Sequence, residues 1–215
     1  MEITWFGQAC FKLKGKNATV ILDPFDPEFV GLKFPKNEIA DVVLVSHSHK
    51  DHNYPEAVSG EPKIFSGPGE YEVKGAAITG ISSFHDKLEG SERGTNTIFH
   101  VLIDGLNIVH LGDFGQEKLT ESQVEAINTA DILLIPVGSV YTIDAKEAAG
   151  VVAQLEPKIV IPMHYGIPEL KFPLDPVDKF LKEMGTEGVA AAAKLSITKD
   201  KLPEEPTVIL LAKSS

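Results

Sequence analysis

Short apolar runs separated by turn-forming residues dominate the first half of the chain. Residues 3–6, 10–13 and 18–22 are such runs, and the Gly, Lys and Asn residues between them are typical of the turns of an antiparallel meander. Residues 42–45 are apolar at every position, which predicts a buried strand. The same pattern predicts further strands at residues 63–65, 71–73, 76–84, 97–103 and 107–111.

The second half alternates between strand-like and helix-like periodicity. Helices are predicted at residues 121–128, at 145–155 after an Asp144 cap, and at 175–184 before Gly185. Strands are predicted at residues 132–137, 159–162, 194–197 and 207–211. Strands interleaved with helices indicate sheets covered by helices, and 215 residues with 43% hydrophobic content fit one domain over residues 1–215.

The charge balance favours a small substrate over a polynucleotide. The chain has 20 basic and 31 acidic residues, a net charge of -11, and Arg93 as its one arginine. Such a chain repels polyanions and lacks an arginine-rich groove for phosphates. Cys10 is the one cysteine of this sequence, so an intramolecular disulfide is not possible. Neither a secretion signal nor an apolar run of membrane-spanning length is evident. We therefore expect a cytoplasmic protein that does not bind membranes.

Four side chains that can ligate metals directly follow the apolar run 42–45: His47, His49, Asp51 and His52. These groups are costly to bury unpaired, and imidazole suits zinc and its neighbours. Residues two apart in an extended segment share a face, so His47 and His49 point at one ion while the following turn sends Asp51 and His52 elsewhere. Two metals are therefore expected rather than one, and a solvated polar loop is the alternative.

Three more polar residues end apolar strands: His85, Asp113 and His164. One such histidine is usually structural. Because strand ends on one edge of a sheet converge in space, three repetitions of the pattern favour a shared site. Asp23, which ends the third predicted strand, either hydrogen-bonds a ligating histidine or only terminates its strand.

The motif His-X-His-X-Asp-His, then a single His, a Gly-Asp pair and a late His resemble the metallo-β-lactamase superfamily. Within it, residues 7–11, 110–113 and 161–165 are similar to the branch that contains ascorbate-6-phosphate lactonase and other metal-dependent hydrolases. The resemblance implies an α/β fold, the four-layer αββα sandwich. It also implies two divalent ions, with zinc in first place and manganese or iron as alternatives.

The resemblance also implies a division of the ligands between the two ions. The first ion would be held by His47, His49 and His85, the second by Asp51, His52 and His164, and Asp113 would bridge them. Two divalent ions about 3.5–4 Å apart lower the pKa of a water that they share. A hydroxide that bridges them would then attack an ester, lactone, amide or phosphodiester.

Several residues beside the ligands have two interpretations each. Tyr165 could donate to a developing oxyanion or only pack, and Arg93 could hold an anionic group or form a surface salt bridge. The branch commonly has His where this chain has Gln8. His110 is expected on the strand face opposite Asp113. Substrate choice is assigned to the loops 25–38 and 87–94 together with Tyr165 and Arg93; His100 is expected to be structural and Lys50 solvated.

Other functions are compatible with the same ligands. A metal-stabilised binding protein would use them for folding alone, without turnover. A ribonuclease or β-lactamase activity also occurs on this motif set, and oxygen-reducing or sulfur-oxidising relatives use iron. The absence of a flavin domain disfavours the oxygen reductases.

Overall fold

Thirteen strands and four α-helices make up residues 1–214, the part of the chain that the computed structural model describes. The strands are β1 (Glu2–Gly7), β2 (Cys10–Lys14), β3 (Thr19–Leu22), β4 (Val42–Val45), β5 (Lys63–Ser66), β6 (Gly69–Val73), β7 (Ala76–Phe84), β8 (Thr95–Ile103), β9 (Leu106–His110), β10 (Ile132–Pro136), β11 (Ile159–Met163), β12 (Leu195–Ser196) and β13 (Thr207–Val208). The helices are α1 (Pro27–Val30), α2 (Glu121–Ile127), α3 (Ala145–Leu155) and α4 (Asp178–Glu183), and 3₁₀ turns occur at Pro55–Ala57 and Lys199–Lys201.

The strands form two mixed sheets. In the first sheet the order is β12-β1-β2-β3-β4-β5, and β1 to β3 form the predicted antiparallel meander, to which β4 and β5 add in parallel. In the second the order is β13-β11-β10-β9-β8-β7-β6, with antiparallel pairs from β6 to β9 and parallel pairs from β9 to β13. As a result β7, β9 and β11 run in the same direction and end at one edge of the second sheet.

The main core lies between the two sheets, and β4 shows how the sequence produces it. Val42 and Leu44 join the cluster that also contains Val101 and Leu134 of the second sheet. Val43, which points the other way, joins a separate cluster on the outer face of the first sheet. Both faces of β4 are buried, which explains its unbroken apolar sequence.

The helices cover the outer faces unequally. Helix α3 begins at Asp144, whose carboxylate accepts the Glu147 backbone N–H while Glu147 accepts the Asp144 N–H, as the sequence predicts. Its residues Ala148 and Val151 are buried in the main cluster. Within residues 1–214, the outer face of the first sheet is covered by α1 and by loop residues that include Val58, Leu170 and Phe172, so the predicted α/β sandwich has one thin outer layer. No helix of residues 1–214 is long and apolar enough to cross a membrane.

Several predicted strands have shifted bounds, such as 207–211, which is only Thr207–Val208, and two predicted segments differ more from the structure. The segment 25–38, expected as a loop, contains α1, because Asp26 accepts two backbone N–H groups at its start and Gly31, at φ +90°, ends it. The helix predicted at 175–184 begins only at Asp178, because Asp175 precedes Pro176, which disfavours helical backbone there, and instead donates its N–H to the Gly138 carbonyl at 2.9 Å. Both differences arise from contacts that periodicity does not report.

Candidate metal centre

The predicted ligands come from the loops after four strands that belong to both sheets. His47, His49, Asp51 and His52 follow β4 of the first sheet, whereas His85, Asp113 and His164 follow β7, β9 and β11 of the second. The expectation that the strand ends lie on one sheet edge was therefore wrong for β4. The site forms where the edges of two packed sheets meet, and this brings all seven side chains together.

One group of ligand atoms consists of three imidazoles. The donor atoms of His47, His49 and His85 lie within 4.8 Å of one another. His47 Nε2 is 3.1 Å from His49 Nδ1. Residues 46–49 form a bend rather than an extended strand, so the turn geometry, and not strand alternation, brings these two rings together.

A second group combines Asp51, His52, Asp113 and His164, also with donor atoms within 4.8 Å of one another. Asp51 Oδ2 lies 3.5 Å from His52 Nε2 and 3.7 Å from His164 Nε2. His52 and His164 are fully buried, whereas Asp51 is on the wall of a cavity.

Asp113 lies between the two groups and presents one oxygen to each. Its Oδ2 is 3.2 Å from His85 Nε2 and 3.9 Å from His47 Nε2. Its Oδ1 is 3.1 Å from His52 Nε2 and 3.4 Å from His164 Nε2. A single carboxylate thus connects the two groups of imidazoles.

The buried donor atoms fit divalent cations. Within residues 1–214, His52 Nε2, His164 Nε2 and Asp113 Oδ1 are buried without a hydrogen-bond partner. Leaving such atoms unsatisfied costs about 1–3 kcal/mol each, a cost that coordination removes. Imidazole and carboxylate ligands suit zinc, manganese and iron.

The surroundings of His47, Asp113 and His52 shift their pKa values in different directions. Burial, followed by the neighbouring charge of His52, lowers the pKa of His47 to about 3, so its imidazole is neutral at pH 7. Burial alone raises the pKa of Asp113, but the charges of His164 and His52 outweigh it and hold that pKa well below its usual range. Burial alone lowers the pKa of His52, but the charges of Asp113, Asp51 and Asp23 outweigh it and hold that pKa well above its usual range, so a metal that binds Nε2 must displace a proton from this imidazole.

Asp23 and Ser46 orient one imidazole of each group. Asp23 Oδ2 accepts hydrogen bonds from His52 Nδ1 at 2.8 Å and from the Ser46 hydroxyl at 2.7 Å. The oxygen of that hydroxyl lies 3.0 Å from His47 Nδ1 and can accept a hydrogen bond from an N–H at this nitrogen. Both histidines are then protonated on Nδ1, which leaves each Nε2 free to ligate. The contacts of Asp23 match the orienting role expected from the sequence.

The loop that carries Asp113 is fixed by Asn96, a buried residue that the sequence analysis did not single out. Its side-chain oxygen accepts the Asp113 N–H at 3.0 Å, and its amide donates to the Leu111 carbonyl at 2.8 Å. Gly112 has φ +58°, and a Cβ on it would lie against Asn96 Oδ1 and 2.7 Å from Ser46 Cβ. Glycine is therefore required between β9 and Asp113.

We expect Gly112→Ala to lower the free energy of unfolding by about 2–4 kcal/mol, through a left-handed backbone and overpacking. Gly150→Ala is the matched control, since Gly150 lies within α3 with open space around its Cα. That change should raise stability by about 0.5–1 kcal/mol. Urea denaturation at equal metal content measures the free energy of unfolding of both variants. Equal changes in this free energy would contradict the steric argument.

A cavity of about 530 Å³ opens beside the ligands. His49, Asp51, His85 and Asp113 line it on one side, and Phe29, Lys50, Arg93, Tyr141 and Phe172 are also part of its wall. Arg93 and Phe29 belong to the two loops that the sequence assigns to substrate choice, and Lys50 is exposed as expected. Tyr141 and Phe172 were missed, because no local motif marks a residue that reaches the site only through the fold.

Tyr165 and His110 lie elsewhere than expected for functional groups. The buried Tyr165 ring packs on Trp5 with centroids 5.0 Å apart and is absent from the cavity wall, so the structure favours the packing role.

His110 is also buried, with Nε2 2.8 Å from the Ala9 carbonyl and 4.0 Å from Asp23 Oδ2. The prediction of an opposite face was wrong, because β9 ends at His110 and strand alternation does not extend to Asp113.

Gln8 and His100 are the remaining residues that the sequence singles out beside the ligands. The Gln8 side chain is buried and its Nε2 is 3.5 Å from Asp51 Oδ2, so this position contacts the second group although it is not His. His100 Nε2 lies 3.0 Å from Asn107 Oδ1, and neither residue belongs to the two groups of candidate ligands, as expected of a structural residue.

Comparison with known families identifies the chain. Residues 2–164 match the family model of the β-lactamase superfamily domain. The chain belongs to this superfamily. Relatives within it include the UPF0173 metal-dependent hydrolase of Thermoplasma acidophilum, 33% identical over 87% of this chain and 92% of the relative. The corresponding protein of Methanocaldococcus jannaschii is 30% identical over 87% and 94%.

A solved structure of the superfamily agrees with the fold. A protein from Thermotoga maritima, described as a Zn-dependent hydrolase of the metallo-β-lactamase superfamily, is 40% identical to this chain. It superposes with a TM-score of 0.80 over 98% of this chain and 97% of its own. The predicted superfamily, its αββα fold and the class of metal-dependent hydrolase are thereby confirmed. The similarity to the ascorbate-6-phosphate lactonase branch stays a prediction.

Proposed function

We propose that the chain is a dinuclear metal-dependent hydrolase that cleaves an ester, lactone, amide or phosphodiester bond of a small substrate. The observation that carries this proposal is the position of Asp113, whose two oxygens face different groups of imidazoles. A carboxylate with one oxygen toward each group is suited to bridging two cations. The proposed ligands are His47, His49 and His85 for the first ion, Asp51, His52 and His164 for the second, and Asp113 for both.

Two divalent ions, when bound, lower the pKa of a coordinated water and polarise the oxygen of the scissile group. The chain contributes the arrangement around them. Asp51 and Asp113 line the cavity, so either carboxylate can accept a hydrogen bond from an attacking water and orient it. Tyr165 takes no part in this proposal, because its ring packs in the core.

The size and charge of the cavity support a small substrate. About 530 Å³ accommodates a metabolite-sized molecule, within the usual range for ligand pockets. A net charge of -11 with one arginine disfavours a long polyanion. We propose zinc as the native ion, with manganese or iron as the alternatives that the same ligands accept.

The test combines metal analysis with an activity panel. Protein dialysed exhaustively should retain about two divalent ions per chain, since seven ligands exceed one tetrahedral site. The metal-loaded protein should hydrolyse at least one of a lactone, a phosphodiester and a thioester, and a chelator should abolish this turnover until metal is restored.

Three outcomes would contradict the proposal. One ion per chain would remove the dinuclear mechanism. Full metal loading without turnover of any substrate would favour the metal-stabilised binding protein. Efficient, salt-resistant cleavage of single-stranded RNA, or a preference for a β-lactam, would replace the proposed substrate class by the corresponding superfamily activity.

A further inference from the structure

Three aromatic side chains form a continuous apolar surface on the cavity, here called the aromatic wall: Phe29, Phe172 and Tyr141. The Phe29 and Phe172 ring centroids are 6.0 Å apart, and those of Phe172 and Tyr141 are 6.2 Å apart at an interplanar angle of 80°. Phe29 is 45% exposed although it is large and apolar. Exposed aromatic surface beside a reactive site is suited to binding the apolar part of a ligand.

Backbone hydrogen bonds fix one end of this wall to the ligand loop. The Asp26 N–H donates to the Lys50 carbonyl at 2.9 Å, which ties the start of α1 to the residue before Asp51. The Lys171 N–H donates to the Val30 carbonyl at 3.0 Å and ties the Phe172 segment to the end of α1. The Phe29 end of the wall therefore lies against the segment that carries His49 and Asp51.

Arg93 lies at the other end of the wall. Its guanidinium carbon is 5.3 Å from the centre of the Tyr141 ring, and Nη1 is 3.5 Å from the Tyr141 carbonyl oxygen. No carboxylate of residues 1–214 lies within 4.0 Å of this guanidinium. The single arginine of the chain thus keeps its bidentate hydrogen-bonding face for a ligand, on the His85 side of the cavity.

Asp86 holds the backbone that carries this guanidinium. Its carboxylate accepts the N–H groups of four residues at 2.8–3.0 Å: Leu88, Gly90, Glu92 and Arg93. A loop fixed in this way loses little further entropy when a ligand binds. Arg93 is therefore pre-organised rather than a freely mobile surface cation.

We propose, on the basis of the hydrolase function above, that the substrate is an amphiphilic anion. Its planar or aliphatic body lies on the aromatic wall, and its anionic oxygens pair with Arg93 at the end near His85. The hydrolysed bond lies between these two parts, opposite Asp113. A cavity of this kind selects substrates that carry a negative charge at one end and an apolar body at the other. Neither the metal ligands nor the net charge of -11 provides that selectivity.

Two non-hydrolysable ligands that differ in charge test the proposal by their binding to the metal-loaded protein. Naphthalene-2-sulfonate carries an anionic group that coordinates metals weakly, and methyl 2-naphthyl sulfone has the same body without the charge. Calorimetry should give about tenfold tighter binding of the sulfonate, about 1.4 kcal/mol. Arg93→Gln should abolish this preference and leave the affinity for the sulfone unchanged.

Lys87→Gln is the matched control. It removes one positive charge from the same loop, but Lys87 pairs with Glu147 and lines a neighbouring cavity on the other side of Arg93, not the one that Asp51 and Asp113 border. The Lys87→Gln variant should keep the tenfold preference for the sulfonate. Phe172→Ala should lower the affinity for both probes. Equal affinities for the two probes in the wild-type protein, or equal losses in the Arg93 and Lys87 variants, would overturn the proposal.

These measurements separate the proposal from the hydrolase function on which it rests. Binding needs no turnover, so a protein that hydrolyses nothing can still show the preference that depends on Arg93. Conversely, an active hydrolase without this preference would retain its function and lose only the assigned substrate class.

Discussion

Asp113→Asn should reduce the metal content from about two ions per chain to one or fewer and lower turnover by more than about 100-fold. Loss of an outer partner of a metal ligand typically costs 10–100-fold, and Asp113 faces both groups directly. The amide keeps the shape of the side chain but removes the negative charge between two cations. Elemental analysis and kinetics on the most active substrate of the panel measure the two effects.

His100→Gln is the matched control for Asp113→Asn, because it changes a polar side chain that pairs with Asn107 outside the site. Its metal content and turnover should equal those of the wild-type protein. Circular dichroism should show the same fold in both variants, since the Asp113 backbone bond to Asn96 is kept. Retention of two ions by Asp113→Asn would show that Asp113 does not bridge.

Asp23→Asn should weaken metal binding by about 10–100-fold although Asp23 belongs to neither group of ligands. The new amide NH₂ would donate to His52 Nδ1 in place of accepting from it. His52 would then carry its proton on Nε2, the atom that faces Asp113. The same amide can donate to the Ser46 hydroxyl, which turns that hydroxyl toward His47 and favours the wrong tautomer there too.

Asp41→Asn provides the corresponding control. Asp41 also accepts a backbone N–H, from Thr19, and also loses one charge, but it pairs with Lys74 at the surface. Competition with a metallochromic chelator gives the affinities of both variants. If Asp23→Asn binds metal as tightly as Asp41→Asn, the tautomers of His47 and His52 do not depend on Asp23.

Local pattern was sufficient for most elements of the fold. β7 and α3 have the bounds predicted from the sequence, because alternation ends at turn residues in the first case and Asp144 caps the helix in the second. Helix α1 was missed since its four residues are too few to show a period. The start of α4 was misplaced because Asp175, which precedes Pro176 and bonds to the Gly138 carbonyl, stays outside the helix.

The sequence by itself determined the seven candidate ligands, the superfamily and the two-sheet architecture. Ligand chemistry resides in side-chain type, and burial of β4 on both faces follows from an unbroken apolar run. Only the tertiary structure decided that the two sheets deliver the ligands jointly and that Asp113 turns one oxygen to each group. It also decided that Tyr141 and Phe172, rather than Tyr165, border the cavity. Distances between residues far apart in the chain depend on how the sheets pack, and local periodicity carries no information about that packing.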